Sequence, residues 1–429
     1  MMNKCYEYLN SLELNGIKPG LETTLELYRR SNRQGDNLKF IHLAGTNGKG
    51  SCGAMLQMAL RKAGFKVGFY TSPHLIDFRE RIRVNGKAIS EEDLAFEIEQ
   101  LRKVADEMKE ECGFSVTYFE FTTVLAVNYF ARMKPDFVVL ETGMGGRFDS
   151  TNIFDSIVSI ITNISPDHQK FLGNSIEEIA FEKAGIIKKN QQCFVGITSE
   201  EALEVIRKQA KVVGAELNEC DKIDNLPFEY KNGKQFFRFD NYPIELNLIG
   251  AMQRKNAKLV FNVLKYLSES YNFKLEVALQ GLAEMEWPGR CQKLADNLII
   301  DGGHNIDGIT SLLEALQEAY PDYKYNFIFG SFKDKDSMEC LSLLEKFANK
   351  FYFKKIAYQW RDSYDSNELS YFLEKNSNKS FDKLEKWSKV QELLFESREK
   401  SAKEIFVICG SLYLIGEYLQ YINYDLEEI

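Results

Sequence analysis

Short apolar runs alternate with helical patterns through the first half of the chain. Buried strands are predicted where the apolar residues are nearly continuous, at 38–44, 66–71, 136–142 and 156–162. A further strand at 79–84 leads into a tight turn at Asn85-Gly86. Helical spacing predicts helices at 51–63, 91–111 and 176–188. Strands that alternate with helices are typical of an α/β fold, in which a mostly parallel sheet carries helices on both faces.

The second half repeats this alternation after an interruption. Alternating runs on either side of 231–234 (KNGK) predict a hairpin, a helix is predicted at 251–269, and 287–290 (WPGR) break the pattern. Strands are then predicted at 297–301, 325–330, 351–357 and 404–409, with helices at 307–319, 337–348, 387–400 and from 412. We therefore predict a second, smaller, Rossmann-like α/β domain. The boundary is expected near 291–296, which gives domains at 1–293 and 294–429.

Composition and charge narrow the possible functions. The chain has 429 residues, enough for two or three domains with large cores. Its 54 Lys and Arg against 63 Asp and Glu give a net charge of −9, which argues against nucleic acid or an anionic membrane as the main partner. The 8 cysteines form no CxxC pair, and no apolar run reaches about 18 residues. Because the start of the sequence is also polar, we expect a cytoplasmic protein. We also expect a monomer that acts on small molecules.

A glycine-rich loop, 44–51 (AGTNGKGS), follows the first predicted strand. Backbone N–H groups of such a loop can surround a phosphate, the next helix adds its positive end, and Lys49 adds a full charge. The general P-loop spacing requires glycine at 43 and Ser or Thr at 50, where this chain has Leu43 and Gly50. A glycine-rich turn with a surface lysine is the alternative. The strand–loop–helix context favours a phosphate site and a P-loop-type sheet domain.

Polar groups also follow the other predicted strands, at the sheet edge where open α/β proteins bind ligands. Ser72 follows the second strand, and Glu141 with a glycine-rich loop follows 136–140. Hydroxyl and carboxylate oxygens at such positions are natural Mg²⁺ ligands. Each motif alone is compatible with an ordinary turn, and Lys183 alone with a solvated surface lysine. The chain's 4 histidines all lie in these loops or in the strand before the phosphate loop: His42, His74, His168 and His304.

Nine motifs occur in the order typical of one enzyme family. They are AGTNGKGS (44–51), SPHL with ERIRVNG (72–86), TYFEFTT (117–123), ETGMGGRFDSTN (141–152), SPDHQKFLG (165–173), EKAGIIK (182–188), WPGR (287–290), DGGHN (301–305) and FKDKD (332–336). The chain resembles folylpolyglutamate synthase, including the bifunctional dihydrofolate synthase form, within the Mur ligase superfamily. The family usually has His-Gln before Asn256, where this chain has Met252 and Gln253. After WPGR the family usually has an apolar or aromatic residue followed by Glu, whereas this chain has Cys291 and Gln292.

The resemblance implies a role for the motif residues. Lys49 would neutralise the transferring phosphate, Lys183 would be carbamylated, and His304 would face the incoming glutamate as a candidate base. ATP would be bound by Gly45, Thr46, Asn47, Gly48, Lys49, Gly50, Ser51, Asn256, Arg290 and Asp301. Two Mg²⁺ ions would be held by Ser51, Ser72, Glu141, His168 and carbamylated Lys183. The pterin or folate would contact Thr117, Tyr118, Phe119, Glu120, Phe148, Asp149 and Ser150.

The implied reaction is ATP-dependent ligation of L-glutamate to a folate, with dihydropteroate as a further acceptor. It would proceed through an acyl phosphate and a tetrahedral intermediate, inside domains that close to exclude water. Three alternatives remain at this point. They are a peptidoglycan-type Mur ligase, a P-loop switch or kinase, and a non-catalytic nucleotide-binding module.

Overall fold

The computed structural model describes residues 2–16, 18, 20–167, 169–231, 233–358, 361–400 and 403–428. They form two compact units. The first contains the residues up to Asn225, the segment Lys255–Glu284 and the residues from Glu427 onward. The second contains Leu226–Arg254 and Met285–Leu426. Each unit is therefore assembled from separate stretches of the sequence. The predicted domain limits of 1–293 and 294–429 stay a prediction about the functional domains.

Among the described residues, eight strands build the sheet of the first unit, in the order β4-β3-β2-β5-β1-β6-β7-β8. Neighbouring strands are parallel except at β2–β3 and β3–β4. Leu43 of β1 is paired with both Glu141 and Ile160, so the carboxyl ends of the central strands meet at one edge. The strands are β1 (Phe40–Ala44), β2 (Val67–Tyr70), β3 (Ile82–Val84), β4 (Lys87–Ala88), β5 (Phe137–Glu141), β6 (Ser156–Ile161), β7 (Gln192–Val195) and β8 (Glu216–Glu219).

Helices cover both faces of this sheet, because successive residues of a strand point to opposite sides. A Cβ on Gly68 of β2 would lie 3.0 Å from Phe130 on one helix, whereas the next residue, Phe69, touches Gly53 on another. The helices are α1 (Met2–Glu13), α2 (Glu22–Arg30), α3 (Lys49–Lys62), α4 (Glu91–Cys112), α5 (Tyr118–Met133), α6 (Gln169–Leu172), α7 (Ile176–Ala184), α8 (Glu200–Val213), α9 (Ala251–Tyr271) and α10 (Leu275–Glu284). Short 3₁₀ turns occur at Phe78–Arg81 and Ser150–Ile153. This layering confirms the predicted fold class.

The second unit contains two sheets in its described residues. Three antiparallel strands form the predicted hairpin and its extension: β9 (Phe228–Lys231), β10 (Lys234–Phe239) and β11 (Tyr242–Leu246). The larger sheet has the order β12-β13-β17-β14-β15-β16 and is parallel except at β12–β13. Its strands are β12 (Gln292–Ala295), β13 (Leu298–Asp301), β14 (Lys324–Phe329), β15 (Ala348–Phe353), β16 (Ser380–Lys383) and β17 (Glu404–Cys409). Its helices are α11 (Ile306–Ala319), α12 (Ser337–Glu345), α13 (Ser366–Asn376), α14 (Ser388–Glu399) and α15 (Leu412–Tyr421).

A glycine, Gly281, allows helices α3 and α10 of the first unit to pack closely against each other. A Cβ on Gly281 of α10 would lie 2.7 Å from the Met58 carbonyl oxygen and 3.0 Å from the Ala59 Cα of α3. The two helix backbones therefore approach each other closely, and Lys62 of α3 forms an ion pair with Glu284 of α10. None of the helices in the described ranges combines the length and the apolar character that a membrane crossing requires.

Candidate active site

The loop between β1 and α3 has a backbone shape that only glycine fits. Gly45 and Gly48 both have positive φ values, +152° and +87°. A Cβ at Gly45 would lie 1.9 Å from the Thr162 hydroxyl oxygen, and one at Gly48 would lie 2.7 Å from the Asn256 side-chain oxygen. The contact at Gly48 places Asn256, a predicted ATP residue far away in the sequence, directly beside the loop.

The segment after β6 holds this loop in place. The Thr46 N–H donates to the Asn163 carbonyl (2.9 Å), and the Asn47 N–H donates to the Asn163 side-chain oxygen (2.7 Å). The Thr162 hydroxyl donates to the Asn47 carbonyl at 2.6 Å. These hydrogen bonds from the protein itself fix the shape of the loop, and such fixed geometry is what electrostatic preorganisation requires.

Lys49 folds back over the same loop. Its ammonium donates to the Gly45 carbonyl at 2.9 Å and lies 3.4 Å from the Thr46 carbonyl. Gly50 and Ser51 follow in the first turn of α3, where both are buried. The positive end of α3 and the Lys49 charge therefore lie at the concave side of one glycine-rich loop, an arrangement suited to a phosphate.

A buried carboxylate marks the end of the neighbouring strand β5. The Glu141 side chain is only 3% exposed and accepts hydrogen bonds from the Thr71 hydroxyl and, at 3.4 Å, from the Ser72 N–H. Carboxylate and hydroxyl oxygens together are donors that Mg²⁺ prefers. The structure thus brings the predicted ligands Ser72 and Glu141 into one place. His168, another predicted ligand, lies outside the described residues. Among the residues that the structure describes, no group of three or more His, Cys, Asp or Glu side chains is placed to hold a metal ion.

Lys183 lies in the last turn of α7 and is 3% exposed. Burial, together with the positive charge of Lys49, lowers the pKa of its ammonium to about 7, while the carboxylates of Asp167 and Asp149 act in the opposite direction. Near neutral pH a substantial fraction of this amine is therefore unprotonated. This environment differs from that of a solvated surface lysine, the alternative interpretation of the sequence.

The glycine-rich loop after β5 packs against the end of α7. The Arg147 N–H donates to the Glu182 carbonyl at 2.7 Å, and the Asn152 amide donates to the Gly185 carbonyl at 3.1 Å. These bonds use carbonyls at the helix end, and α7 stops at Ala184 instead of continuing to 188 as predicted. The loop therefore fixes the helix turn that carries Lys183.

Asp149 organises the interior of this loop. Its carboxylate accepts from the Met144 N–H (2.9 Å), the Thr151 N–H (3.0 Å) and the Thr151 hydroxyl (2.5 Å), and burial raises its pKa. Because the Thr151 hydroxyl donates to Asp149, it accepts from Nε2 of His42 at 2.8 Å. Burial, with a further contribution from Lys188, lowers the pKa of His42 to about 3. His42 is thus a neutral structural group, although it lies in the strand that leads into the phosphate loop.

A cavity of about 320 Å³ opens beside the same loop. Ligand pockets of small molecules commonly have at least this volume. Thr117 and Glu120 also form the capping box of α5, in which the Glu120 carboxylate accepts from the Thr117 N–H at 2.7 Å. Tyr118 is outside the lining and lies 5.3 Å from the Arg81 guanidinium. Of the residues predicted to bind the pterin, the cavity is lined by Thr117, Phe119, Glu120, Phe148, Asp149 and Ser150.

In the second unit, Asp301 ends β13 and is hydrogen-bonded on both oxygens. It accepts from the Cys291 N–H at 2.8 Å and from the Gly303 N–H at 2.7 Å. Burial raises the pKa of Asp301, and the charge of Arg290 acts against that shift. Nδ1 of His304 lies 3.1 Å from the Gly302 carbonyl, which can only accept, so Nδ1 carries the proton and the lone pair of the neutral ring is at Nε2.

Comparison with known proteins identifies the family. The Mur ligase middle domain matches residues 43–264, and the dihydrofolate synthetase C-terminal domain matches residues 289–421. The chain is 35% identical to dihydrofolate synthase/folylpolyglutamate synthase of Bacillus subtilis (strain 168), over 94% of each chain. The chain belongs to the dihydrofolate synthase/folylpolyglutamate synthase family.

Solved structures of folylpolyglutamate synthases share the whole fold. The enzyme of Mycobacterium tuberculosis, solved with ADP and AMPPCP, superposes with a TM-score of 0.87 at 25% identity and covers 99% of this chain and 100% of its own. The enzyme of Thermotoga maritima gives a TM-score of 0.81 at 29% identity, covering 98% and 97%. Enzymes of this family are ATP-dependent ligases that join glutamate to a folate. The predicted family and reaction class are confirmed.

Sequence analysis did not select several residues that line this cavity. Met144, Phe171, Leu172 and Glu182 line it, and Phe171 is 53% exposed. Both Phe171 and Leu172 stand in the motif at 165–173, so that motif contained the signal. Met144 and Glu182 likewise stand in the motifs at 141–152 and 182–188, but helical spacing alone does not show that a neighbouring loop packs beside Glu182.

Proposed function

We propose that this chain ligates L-glutamate to reduced folates and to dihydropteroate, using ATP to activate the acceptor carboxylate. One observation carries the proposal. The loop that lines the 320 Å³ cavity is hydrogen-bonded to the helix turn that carries Lys183. The positive charge of Lys49 in the phosphate loop in turn lowers the pKa of Lys183. A carboxylate substrate held in that cavity is therefore close to the groups that bind phosphate.

The phosphate loop fits ATP on two counts. A Cβ at Gly45 or Gly48 would collide with Thr162 or Asn256, so only glycine allows the loop to take this tight backbone shape. In such a shape the backbone N–H groups can surround a phosphate closely. Lys49 supplies a positive charge from within the loop, where it can stabilise charge on the transferring phosphoryl group. Attack by the substrate carboxylate on the γ-phosphate forms the acyl phosphate and releases ADP.

Mg²⁺ fits the donors at the ends of β2 and β5. We assign Ser51, Ser72, Glu141 and His168 as ligands, with two ions in all. When bound, Mg²⁺ neutralises phosphate charge and orients the triphosphate. Lys183 joins this set after reaction with CO₂, in which the neutral amine attacks the carbon and loses one proton. The product is a carbamate whose two oxygens are negatively charged donors.

The amine of glutamate then attacks the acyl phosphate, gives a tetrahedral intermediate and expels inorganic phosphate. The attacking amine must lose a proton. His304 is our candidate base because its imidazole lies in the loop directly after β13, where Nδ1 donates to the Gly302 carbonyl and fixes the orientation of the ring. Arg290, Asp301 and Asn256 are assigned to the nucleotide.

A paired assay tests the proposal. Purified protein with ATP, Mg²⁺ and glutamate receives tetrahydrofolate in one tube and dihydropteroate in another, and ADP and glutamylated product are measured by chromatography. We expect equal amounts of ADP and product in both tubes and almost no ADP when glutamate is omitted. Slow ATP hydrolysis that ignores both substrates would instead identify a nucleotide switch, and product with one acceptor only would remove the other from the proposal.

A further inference from the structure

The residues from Glu427 onward belong to the first unit, and they cover the edge of its sheet. β4 is the edge strand, and its Ala88 N–H donates to the Glu427 carbonyl at 2.9 Å. Lys87 and Glu428 form an antiparallel bridge beside this bond. We call residues 427–428 the tail segment. Such pairing protects an edge strand from other chains, but the side chains of the segment make contacts beyond that role.

The Glu427 carboxylate belongs to a chain of charged contacts. It lies 2.7 Å from Nη2 of Arg79, whose Nε lies 3.2 Å from the Asp77 carboxylate. Asp77 also accepts from the Tyr6 hydroxyl at 3.1 Å. Arg83, which is only 1% exposed, donates to the Glu427 carbonyl at 3.3 Å. Burial lowers the pKa of Arg83, and the charges of Glu80 and Glu427 counteract the shift.

Glu428 provides a natural contrast. Its carboxylate is 3.9 Å from Lys87 and 4.0 Å from Arg61, and both its own side chain and that of Lys87 are largely exposed. Exposed pairs at such distances contribute little. The two acidic residues of the tail segment therefore differ in the contacts that they make, although they are adjacent in sequence.

The contacts of Glu427 lead to the loop at 72–81. Within this loop the Glu80 carboxylate accepts from the N–H groups of Leu75, Ile76 and Asp77, at 2.8, 2.8 and 2.6 Å. Asp77 is the capping residue of the turn that follows. The loop starts at Ser72, whose N–H points to Glu141. Ion pairs and hydrogen bonds thus connect the tail segment with Leu75, and the short backbone segment at 73–74 joins Leu75 to Ser72 at the proposed metal–nucleotide site.

We propose that Glu427 is a positioning residue for the 72–81 loop. By holding Arg79, and through it Asp77, Glu427 keeps Ser72 in place beside Glu141, so that docking of the tail segment favours binding of Mg²⁺–ATP. The inference rests on the proposed function only for the identity of the nucleotide. The ion pair with Arg79 has one exposed partner, since the Glu427 side chain is 58% exposed, so its removal leaves the global fold intact.

The experiment compares Glu427→Gln with Glu428→Gln in the full chain. Calorimetry gives the dissociation constant of Mg²⁺–ATP, and hydrogen exchange without nucleotide reports the amides of Leu75, Ile76 and Asp77. Glu427→Gln should weaken Mg²⁺–ATP binding about five- to tenfold and speed exchange in the loop. Glu428→Gln should match the parent in both measurements. Arg79→Gln combined with Glu427→Gln should be no worse than the more severe single variant, because the two residues act through one contact.

The outcomes separate this inference from the proposed function. If the parent fails to bind Mg²⁺–ATP, the proposed function is wrong, and the exchange of the loop amides still tests the role of Glu427. Parental exchange and parental affinity in Glu427→Gln would overturn the inference. It would also be overturned by equal effects of both Gln variants, or by strictly additive effects of the Arg79 and Glu427 changes.

Discussion

The environment of Lys183 is unfavourable for a positive charge, because the ammonium is buried and Lys49 adds a second cation nearby. The same features favour the neutral amine, which is the form that reacts with CO₂. Carbamate formation replaces the positive charge of the ammonium, which repels Mg²⁺, with a negative charge shared by two oxygens that can bind Mg²⁺. The residue thus has the chemistry that the family resemblance implies.

Lys183→Ala should lose nearly all ligase activity, because no carbamate can form. With the pKa of Lys183 lowered to about 7, the parent amine becomes protonated as pH falls through 7, so stripping CO₂ should reduce parental activity most on the acidic side. Turnover is measured across pH at fixed dissolved CO₂. Formate or acetate should partly restore the variant by supplying the missing oxygens.

Lys189→Ala is the matched control for this prediction, since Lys189 is exposed and lies on the same segment. It should behave as the parent at every pH. An active Lys183→Ala enzyme, or a crystallographic bare amine beside bound Mg²⁺, would contradict the carbamate.

Lys49→Ala should greatly reduce ligation while the protein stays folded. The ammonium donates to the Gly45 and Thr46 carbonyls, and the loop keeps its hydrogen bonds to Thr162 and Asn163 without it. Loss of one preorganised contact to the transferring phosphate costs about 3 kcal/mol in the transition state, a drop of roughly 10²-fold in kcat. Steady-state kinetics and circular dichroism give the two readouts. Lys62→Ala, on the last turn of the same helix, should keep normal turnover; near-normal turnover of Lys49→Ala itself would refute the role of Lys49.

Glu141→Gln should weaken binding of Mg²⁺–ATP at least about tenfold and leave binding of metal-free ATP almost unchanged. The amide keeps the size of the side chain and can still accept from the Thr71 hydroxyl, but it lacks the negative charge. Calorimetric titrations with and without Mg²⁺ measure both affinities. Equal affinity of parent and variant for Mg²⁺–ATP would remove Glu141 from the ligands.

Residue positions at strand ends could be predicted from the sequence, whereas their partners could not. The motifs identified Lys49, Ser72 and Glu141 because short glycine-rich strings after apolar runs carry local information. Nothing local shows that Asp149 accepts hydrogen bonds from the Met144 and Thr151 N–H groups of its own loop. That role depends on backbone geometry that forms only when the loop is folded.

At the scale of elements, the pair α3–α10 holds the helix that begins at the phosphate loop. Gly281→Ala should destabilise the protein by about 1–3 kcal/mol, since the added methyl group would meet backbone atoms of Met58 and Ala59 that cannot rotate away. Alanine is the better helix former, so a loss of stability reports packing alone. Urea unfolding measures the change, and Gln280→Ala, on the exposed side of α10, is the control. If Gly281→Ala is as stable as the parent, α3 and α10 can move apart to accommodate the methyl group without loss of free energy of unfolding.

Elements with strong periodicity were predicted, and those with mixed signals were not. β1, β5, β6 and β17 are continuous apolar runs and appear where expected. The sequence analysis made no prediction for α5, although Thr117 and Glu120 form a capping box before it, because its almost entirely buried face removes the usual alternation of polar and apolar positions. The exposed edge strands β8 and β16 likewise have little apolar content.

For the whole molecule, the sequence predicts two α/β domains but not the way in which the chain is shared between the units. Apolar spacing reports what each segment buries, not which distant segment buries it. The predicted domain at 1–293 includes Lys255–Glu284, whereas no sequence signal assigns Leu226–Arg254 to the second unit or the tail segment to the first. Only the resemblance linked Asn256 to the nucleotide, and the structure shows its side chain at Gly48.

The divided first unit has a consequence for synthesis on the ribosome. Translation finishes β1, the phosphate loop and α3 early, yet α10, against which α3 packs, emerges only after the three strands β9–β11 of the other unit. Until then, one face of α3 has no native neighbour and is exposed to chaperones or to other nascent chains. Folding of the first unit is consequently completed late, and genetic separation of the chain at its middle would leave the first unit without α9 and α10.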